Sequence, residues 1–467
     1  MTAFGRWLAV IVAAAFGIRV AYVAVAKGDP CEIRAGADVI GSHPGECLVG
    51  DQLYYNAAAN TLAAGEGFVE PLWDLKRPGE DPPPAADHPP LTVLVLAPVS
   101  WLAERPPLEW FTGADDLDAH VREHRYTMVL LGTALVALVG LFGRRCAADA
   151  VGLVAAGIVA VCPNVWVNDG LIMSETVTNV VVVAALFVAL GALERPTPRA
   201  LAALGALVGL ATLARAEMLL LLPLLVLPLA WRGGRRAACV TSGVGACVLL
   251  LAPWVAYNLS RFEEPTLVST NDGLALAASS CDPVWYGPGT GLTSYEVAAG
   301  CVDDPPPPGD QSEVSTVYRQ RAAEYVRAHL GRVPAVVAAR VGRTWSLYRP
   351  LDMIEYNEGE GREQWVTRLG LAVYYPTLVA AVAGGVLVWR RGRRGVLWVL
   401  CAPAAVVTVG SALTYGQTRF RAAAEPSLAV LAAVAVVALV ARVARLRRRG
   451  PVHDETAGTS AAVASSA

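Results

Sequence analysis

Asp51 opens the run DQLYYNAAANTLAAGEGF, just after the first hydrophobic segment of a very hydrophobic chain. A carboxylate beside a sheltered cavity can take a proton as a general base. The same residue type at the head of a helix also serves as an N-cap, and position alone leaves both roles open. Asp87 and His88, ahead of Pro89 and Pro90, read on their own as turn residues. Arg215 is different, because it interrupts two apolar runs. A charge at membrane depth costs several kcal/mol unless it pairs or reaches the interface, which makes it a functional candidate. A lipid phosphate suits it, since a guanidinium donates two parallel hydrogen bonds to phosphate oxygens. Arg19, inside the first hydrophobic segment, either serves the same anion or snorkels to the interface. Arg419 and Arg421 either meet phosphate or lie at the membrane surface.

Holding such residues requires a membrane scaffold. Of the 467 residues, 55% are hydrophobic and 17% charged, which argues against a water-soluble globule. The formal net charge of -2 is uninformative beside the segregation of charge along the chain, and no nucleic-acid partner is expected. A bilayer of ~30 Å takes about 20 helical residues. Apolar runs approaching that length lie at Trp7 to Ala26, Tyr126 to Gly143, Ala147 to Cys162, Thr176 to Leu193 and Ala200 to Leu213. Others lie at Met218 to Trp231, Ala237 to Tyr257, Val366 to Trp389, Val396 to Leu413 and Ala424 to Val443. The expectation is an all-α polytopic membrane protein with about ten transmembrane helices. The pair flanking Arg215 is short, so a hairpin that stops inside the membrane is the alternative to two full spans there.

With the N-terminus inside, the clusters Arg144-Arg145, Arg195 with Arg199, Arg232 to Arg236, Arg390 to Arg394 and Arg442 to Arg449 all fall inside. That holds only if the apolar stretch His88 to Glu104 lies along or dips into the outer face without crossing. A cleaved signal peptide ending near AYVAVAKGD is the alternative for the N-terminus, but Arg19 would interrupt its core, so the segment reads as the first helix. Residues 1–449 then form one membrane domain with two large outer loops, 27–125 and 258–364, and residues 450–467 a disordered tail rich in Ala, Ser and Thr. Helical pieces are expected in the loops at Gln52 to Ala64 and Ser315 to His329, the latter on the membrane surface. Cys31 with Cys47, and Cys281 with Cys301, share one outer loop each and are expected to pair in an oxidising compartment. Cys146, Cys162, Cys239, Cys247 and Cys401 read as small apolar residues in or beside helices.

The ordered motifs GDQLYYNAAANTLAAGEGF, DHPPLTVLVLAP, MSETV, GLATLARAEMLLLLP, PWVAYNLSRFEEPTLVSTNDGLAL and YGQTRFRAAAEP resemble those of the GT-C glycosyltransferases. The likeness is to the polyprenyl-phosphate-sugar-dependent group related to protein O-mannosyltransferases and the aminoarabinose transferase, and it runs from about Ile18 to Leu431. It implies that Asp51 is the catalytic base and that Arg215 meets the lipid phosphate. Asp87 and His88 match an acidic-basic pair at the donor or metal site, where relatives often carry Lys in place of His88. Ser174-Glu175 matches a short motif at the outer end of a helix, and Ala216 replaces a proline common in relatives. Arg19 and Arg419 are further candidates for the donor phosphate.

The function this implies is inverting transfer of a sugar from a polyprenyl-phosphate donor to a glycan, lipid or protein hydroxyl, at the outer face of the cytoplasmic membrane. It would belong to cell-envelope glycan or glycoconjugate synthesis. A divalent cation (magnesium, manganese or calcium) on Asp51, Asp87 or Glu175 is optional, because the first outer loop has no Asp-x-Asp pair. Two other classes remain open from sequence: a secondary transporter or flippase of lipid-linked sugars, which would usually carry internal repeats, and a non-catalytic envelope assembly protein.

Overall fold

The computed structural model describes residues 2–27, 30–35, 38–46, 48–73, 77–103, 119–297, 300–303 and 305–448. α1 (Ala3–Ala26) starts at Thr2, whose hydroxyl accepts from the Gly5 N–H at 3.2 Å, as an N-cap does. The first large loop carries an antiparallel ribbon, β1 (Pro30–Ala35) against β2 (Asp38–Glu46), then α2 (Asp51–Ala64) and α3 (Leu91–Ala103). α4 (Val121–Cys146), α5 (Asp149–Val161), α6 (Pro163–Trp166), α7 (Ser174–Glu194) and α8 (Pro198–Ala214) follow. Beyond Arg215 the chain passes through a 3-10 turn (Ala216–Leu220) and a π turn (Leu222–Val226) into α9 (Leu227–Trp231), then α10 (Arg236–Leu259). The second loop holds α11 (Asn271–Ala278), α12 (Asp282–Trp285), α13 (Gln311–Ala328), α14 (Val333–Thr344) and α15 (Asp352–Tyr356). α16 (Gln364–Arg390), α17 (Arg394–Leu413) and α18 (Glu425–Arg448) close the fold.

Among the described residues, seven helical segments are long and apolar enough to cross a membrane: α1, α4, α7, α10, α16, α17 and α18 with the turn before it. An eighth is the α5–α6 pair, bent by 63° where Pro163 enters and cannot continue the hydrogen-bond ladder. The remaining two apolar runs are the short legs on either side of Arg215. They form a hairpin. Its two ends meet where a Cβ on Gly233 would lie 3.2 Å from the Pro196 carbonyl, and Cys239 Sγ lies 3.7 Å from the same oxygen. At 1.5 Å per residue the 17 residues of α8 reach ~25 Å, short of a ~30 Å hydrocarbon core. Arg215 stands at the turn of this hairpin.

α8 is fixed against α10 by a very close approach. A Cβ on Gly205 would sit 1.8 Å from the Gly243 carbonyl oxygen, and one on Gly209 3.1 Å from the Cys247 carbonyl. Small residues let helix backbones meet in lipid, where packing must replace the hydrophobic drive. The rising register, 205 with 243 and 209 with 247, makes the two helices run in the same direction.

The two large loops pack on each other at one end of the bundle. Gln311 of α13 donates from Nε2 to Glu70 (3.0 Å) and Asp87 (2.9 Å). Arg261 donates to the carbonyls of Phe68 and Ala85. Asn56 and Asn60 of α2 both donate to the Ala119 carbonyl, at 3.1 and 2.9 Å, so the chain entering α4 is back beside α2. The 13-residue α3 packs beside both, with Ser100 Oγ 2.7 Å from Asn60 Oδ1 and 2.9 Å from His124 Nε2. Cys281 and Cys301 form a disulfide, whereas the expected Cys31–Cys47 pairing and the tail 450–467 lie outside the described residues.

The glycine contact gives a direct test. Gly205→Ala drives a methyl into backbone, and overpacking of this kind costs roughly 1–3 kcal/mol, so the melting temperature of detergent-purified protein should fall by several degrees. Gly157→Ala, with no atom within 4 Å of the new methyl, should leave it unchanged or slightly higher.

Candidate active site

A cavity of about 490 Å³ opens between the hairpin turn at Arg215, the head of α2, the Pro265–Ala275 segment of the second loop and the turn before α18. Asp51, His88, Arg215, Glu217, Tyr415 and Arg419 all line it. That size is ordinary for a small-molecule site.

Gly50, with φ +53°, occupies the N-cap of α2, and Asp51 is the first helical residue. Its carboxylate is directed at another helix end: Arg419 Nη1 donates to Oδ2 at 2.7 Å, and His88 Nε2 lies 3.6 Å from Oδ1. His88 is held by aromatic rings, with its centroid 4.8 Å from that of Tyr54 and 5.1 Å from that of Tyr55. Burial pushes the Asp51 carboxyl up, but the Arg419 guanidinium and then His88 outweigh it and hold the group well below the usual carboxylate range. So long as Arg419 is engaged, Asp51 is ionised but a weak base.

Arg215 sits between two carboxylates, donating from Nη1 to Glu175 Oε1 (2.8 Å) and from Nε to Glu217 Oε1 (2.6 Å). Phe420 lies between the two arginines, its ring centroid 5.1 Å from Arg215 Cζ and 5.5 Å from Arg419 Cζ. An aromatic face is a favourable neighbour for a guanidinium and spaces the two charges. What results is the Asp51 carboxylate beside the Arg215 and Arg419 guanidiniums on one cavity, which Glu217, Asp272 and Arg319 also line, a set that offers a proton acceptor next to donors for an anionic leaving group.

Of the residues singled out by sequence, Asp51, His88, Arg215 and Arg419 converge on the cavity. Glu175 does not line it and instead holds Arg215. Asp87 also stands back: its carboxylate accepts from Gln311, and its carbonyl from Ser269 Oγ at 2.5 Å, so it ties the two loops together. Arg19 is a correction, since it is fully buried and spent on Asp169 (2.7 Å) and the Ala15 carbonyl (3.2 Å). It neither snorkels nor lines the cavity. Arg421 is likewise consumed, by Glu425 and the Thr344 carbonyl. Sequence reasoning missed Glu217, although it stands two residues after Arg215, and Glu360, which lies 3.2 Å from Arg419 Nε.

Asp51, Asp87 and Glu175 are each bound to a different nitrogen donor, and among the described residues no three His, Cys, Asp or Glu side chains gather as a ligand set.

Residues 118–259 match the profile of the family described as dolichyl-phosphate-mannose-protein mannosyltransferase. Among proteins of curated function, no sequence matches the chain. The fold is similar to that of the archaeal oligosaccharyltransferase AglB from Archaeoglobus fulgidus, solved with an inhibitory peptide and a dolichol-phosphate. That likeness covers 98% of this chain and 53% of the other, at 13% identity and a TM-score of 0.53. The same oligosaccharyltransferase with zinc and sulfate aligns over 95% of this chain and 51% of that one, at 14% identity and a TM-score of 0.51. ArnT from Cupriavidus metallidurans bound to undecaprenyl phosphate is covered to 82%, over 97% of this chain, at 14% identity, but its TM-score of 0.37 carries no weight. The fold is thus similar to that of the archaeal oligosaccharyltransferase, and the chain spans about half the length of that protein.

The electrostatics of Asp51 set a stability signature. Because its folded value is depressed, the stabilisation from the Asp51–Arg419 pair is complete above the unfolded carboxylate value of about 3.9 and is lost as pH falls through the lower folded value. The melting-temperature gap between wild type and Asp51→Asn should stay constant from neutral pH to about pH 5 and narrow only below about pH 4. A gap that closes already between pH 7 and 5 would mean that the carboxyl is not held down.

Proposed function

We propose that this protein is a membrane glycosyltransferase that moves a sugar from a polyprenyl-phosphate-linked donor to an acceptor hydroxyl, with inversion, at the extracytoplasmic face of the cytoplasmic membrane, in cell-envelope glycan or glycoconjugate synthesis. The observation that carries this reading is the cavity at the hairpin turn, which Asp51, Arg419 and Arg215 line together and which the short α8 leg would leave below the far membrane face. A lipid-linked phosphate can reach that depth from the bilayer while an acceptor enters from the loops. The dolichol-phosphate bound in the oligosaccharyltransferase of the same fold supports a donor of this class, and the basic clusters on the opposite loops support the orientation.

In this mechanism the acceptor oxygen attacks the anomeric carbon of the donor. Its proton passes to the Asp51 carboxylate as the new C–O bond forms. The bond from that carbon to the phosphate oxygen breaks, and its electron pair leaves on the phosphate. A phosphate leaving group needs charge stabilisation more than protonation, so one base and two guanidiniums suffice. Glycoside hydrolysis differs, because the departing alkoxide requires a paired acid. Each arginine here already faces two carboxylates, so the arriving phosphate must loosen some of those contacts. Drawing Arg419 partly from Asp51 restores basicity to the carboxylate once the donor is in place, which ties proton transfer to donor binding.

The test is transfer from a synthetic polyprenyl-phosphate sugar by purified protein in lipid. Asp51→Asn preserves size but cannot take the proton, and turnover should fall roughly 10²-fold or more with the protein still folded. Arg215→Ala should weaken donor binding as well as rate. Near wild-type turnover by Asp51→Asn would remove the base assignment. For orientation, labelling of introduced cysteines should find residues 51 and 318 outside and residues 145, 236 and 393 inside; the reverse pattern would place the cavity on the cytoplasmic side.

A further inference from the structure

The segment Asn357 to Glu363, just before α16, threads between elements that are distant in sequence. Gln52, next to Asp51, donates from Nε2 to the Glu360 carbonyl at 2.8 Å. Lys27, at the end of α1, donates to the Gly361 carbonyl and pairs with Glu363, both at 2.6 Å. Arg362 donates to Asn168 Oδ1 at 2.7 Å, and Thr418 donates to Asn357 Oδ1 at 3.0 Å. Gly361 has φ +77°, and a Cβ there would stand 2.6 Å from Gln52 Nε2, so the strap requires glycine at that point on two counts. Along this strap only Glu360 turns its carboxylate to Arg419, with Oε1 3.2 Å from Nε.

Arg419 is thereby committed on two edges. Nε serves Gln417 Oε1 (2.8 Å) and Glu360, and Nη1 serves Asp51. Nη2 has a longer contact, 3.4 Å to the Tyr415 hydroxyl, and both Tyr415 and Arg419 line the cavity whereas Glu360 does not. We infer that Glu360 is a positioning residue: a counter-anion behind Arg419 that aims the guanidinium at the base and at an anionic ligand, and that lowers the affinity for that ligand. The inference rests on the reading of this cavity as a lipid-phosphate site. With Asp51 and Glu360 both on one arginine, the trio carries a net negative charge, which opposes an incoming phosphate. Such a brake favours departure of the polyprenyl phosphate product after transfer.

Glu360→Gln separates shape from charge, because it keeps the size of the side chain and an oxygen beside Arg419 while the negative charge is lost. The measurement is equilibrium binding of a polyprenyl phosphate, without sugar, to the purified full-length protein in neutral-lipid nanodiscs, at two salt concentrations and alongside the melting temperature. Glu360→Gln should bind roughly five- to tenfold tighter than wild type, an effect expected of one charge removed a few ångströms behind the site, while Glu360→Asp, which keeps the charge, should not bind tighter. Equal or weaker binding by Glu360→Gln would overturn the inference, whether or not its melting temperature drops, since a purely structural strap could only leave affinity unchanged or reduce it. If wild type itself does not bind the lipid phosphate, the proposed function falls and this inference with it; if wild type binds and no tightening follows, this inference alone falls.

Discussion

The ion pair between Asp51 and Arg419, 368 residues apart in the chain, is the constraint around which the rest of the site is arranged. Taking two charges out of water costs several kcal/mol per ion, and attraction recovers that cost only when geometry and the remaining hydrogen bonds are good. The surroundings supply those bonds. Gln417 holds Arg419 and is itself held by Glu296, Glu360 adds a second anion, and Gln52 fastens the first turn of α2 to the same strap. Removing one member would leave a charge partly buried without its partner, so these residues act as a unit.

The membrane part of the fold provides the place where such a pair is useful. α8 is short for a crossing, and its partner leg leaves through 3-10 and π turns instead of a regular helix. Backbone irregularity at membrane depth is tolerated where it lines a protein cavity, and here it delivers Arg215. The tight Gly205–Gly243 approach fixes the height of that turn against α10, and α10 leads into the loop segment that roofs the cavity. Backbone packing of glycines in the bundle thus decides where the Arg215 guanidinium enters the cavity that Asp51 also lines.

Much of this was legible in the chain. Length and hydropathy expose the spans and mark the Arg215 pair as short for two full spans, and residue type and motif order point to Asp51, His88, Arg215 and Arg419, which share the cavity. The Cys281–Cys301 pair followed from loop sharing. Arg19 misled for a physical reason: an intramembrane arginine signals a partner without saying which, and here the partner is Asp169, in a short break between helices with no periodicity to mark it. Glu360 was invisible because EGEGRE carries no apolar pattern, and the two side chains that meet it from afar, Gln52 and Arg419, are more than fifty residues distant on either side. Asp87 and Glu175 have the residue type of metal ligands, yet one carboxylate accepts from Gln311 and the other from Arg215, a fact of three-dimensional pairing alone.

The central claim is that Asp51 accepts a proton in a single displacement at the anomeric carbon, and the stereochemistry of the product tests it most directly. Proton NMR of the glycoside formed by purified protein from a donor of known anomeric configuration reads the outcome without any mutation. The account predicts inversion, because one attack from the face opposite the phosphate leaves no other result. Retention of configuration would require two displacements and a covalent glycosyl intermediate, would make the carboxylate a nucleophile, and would contradict the role assigned to Asp51.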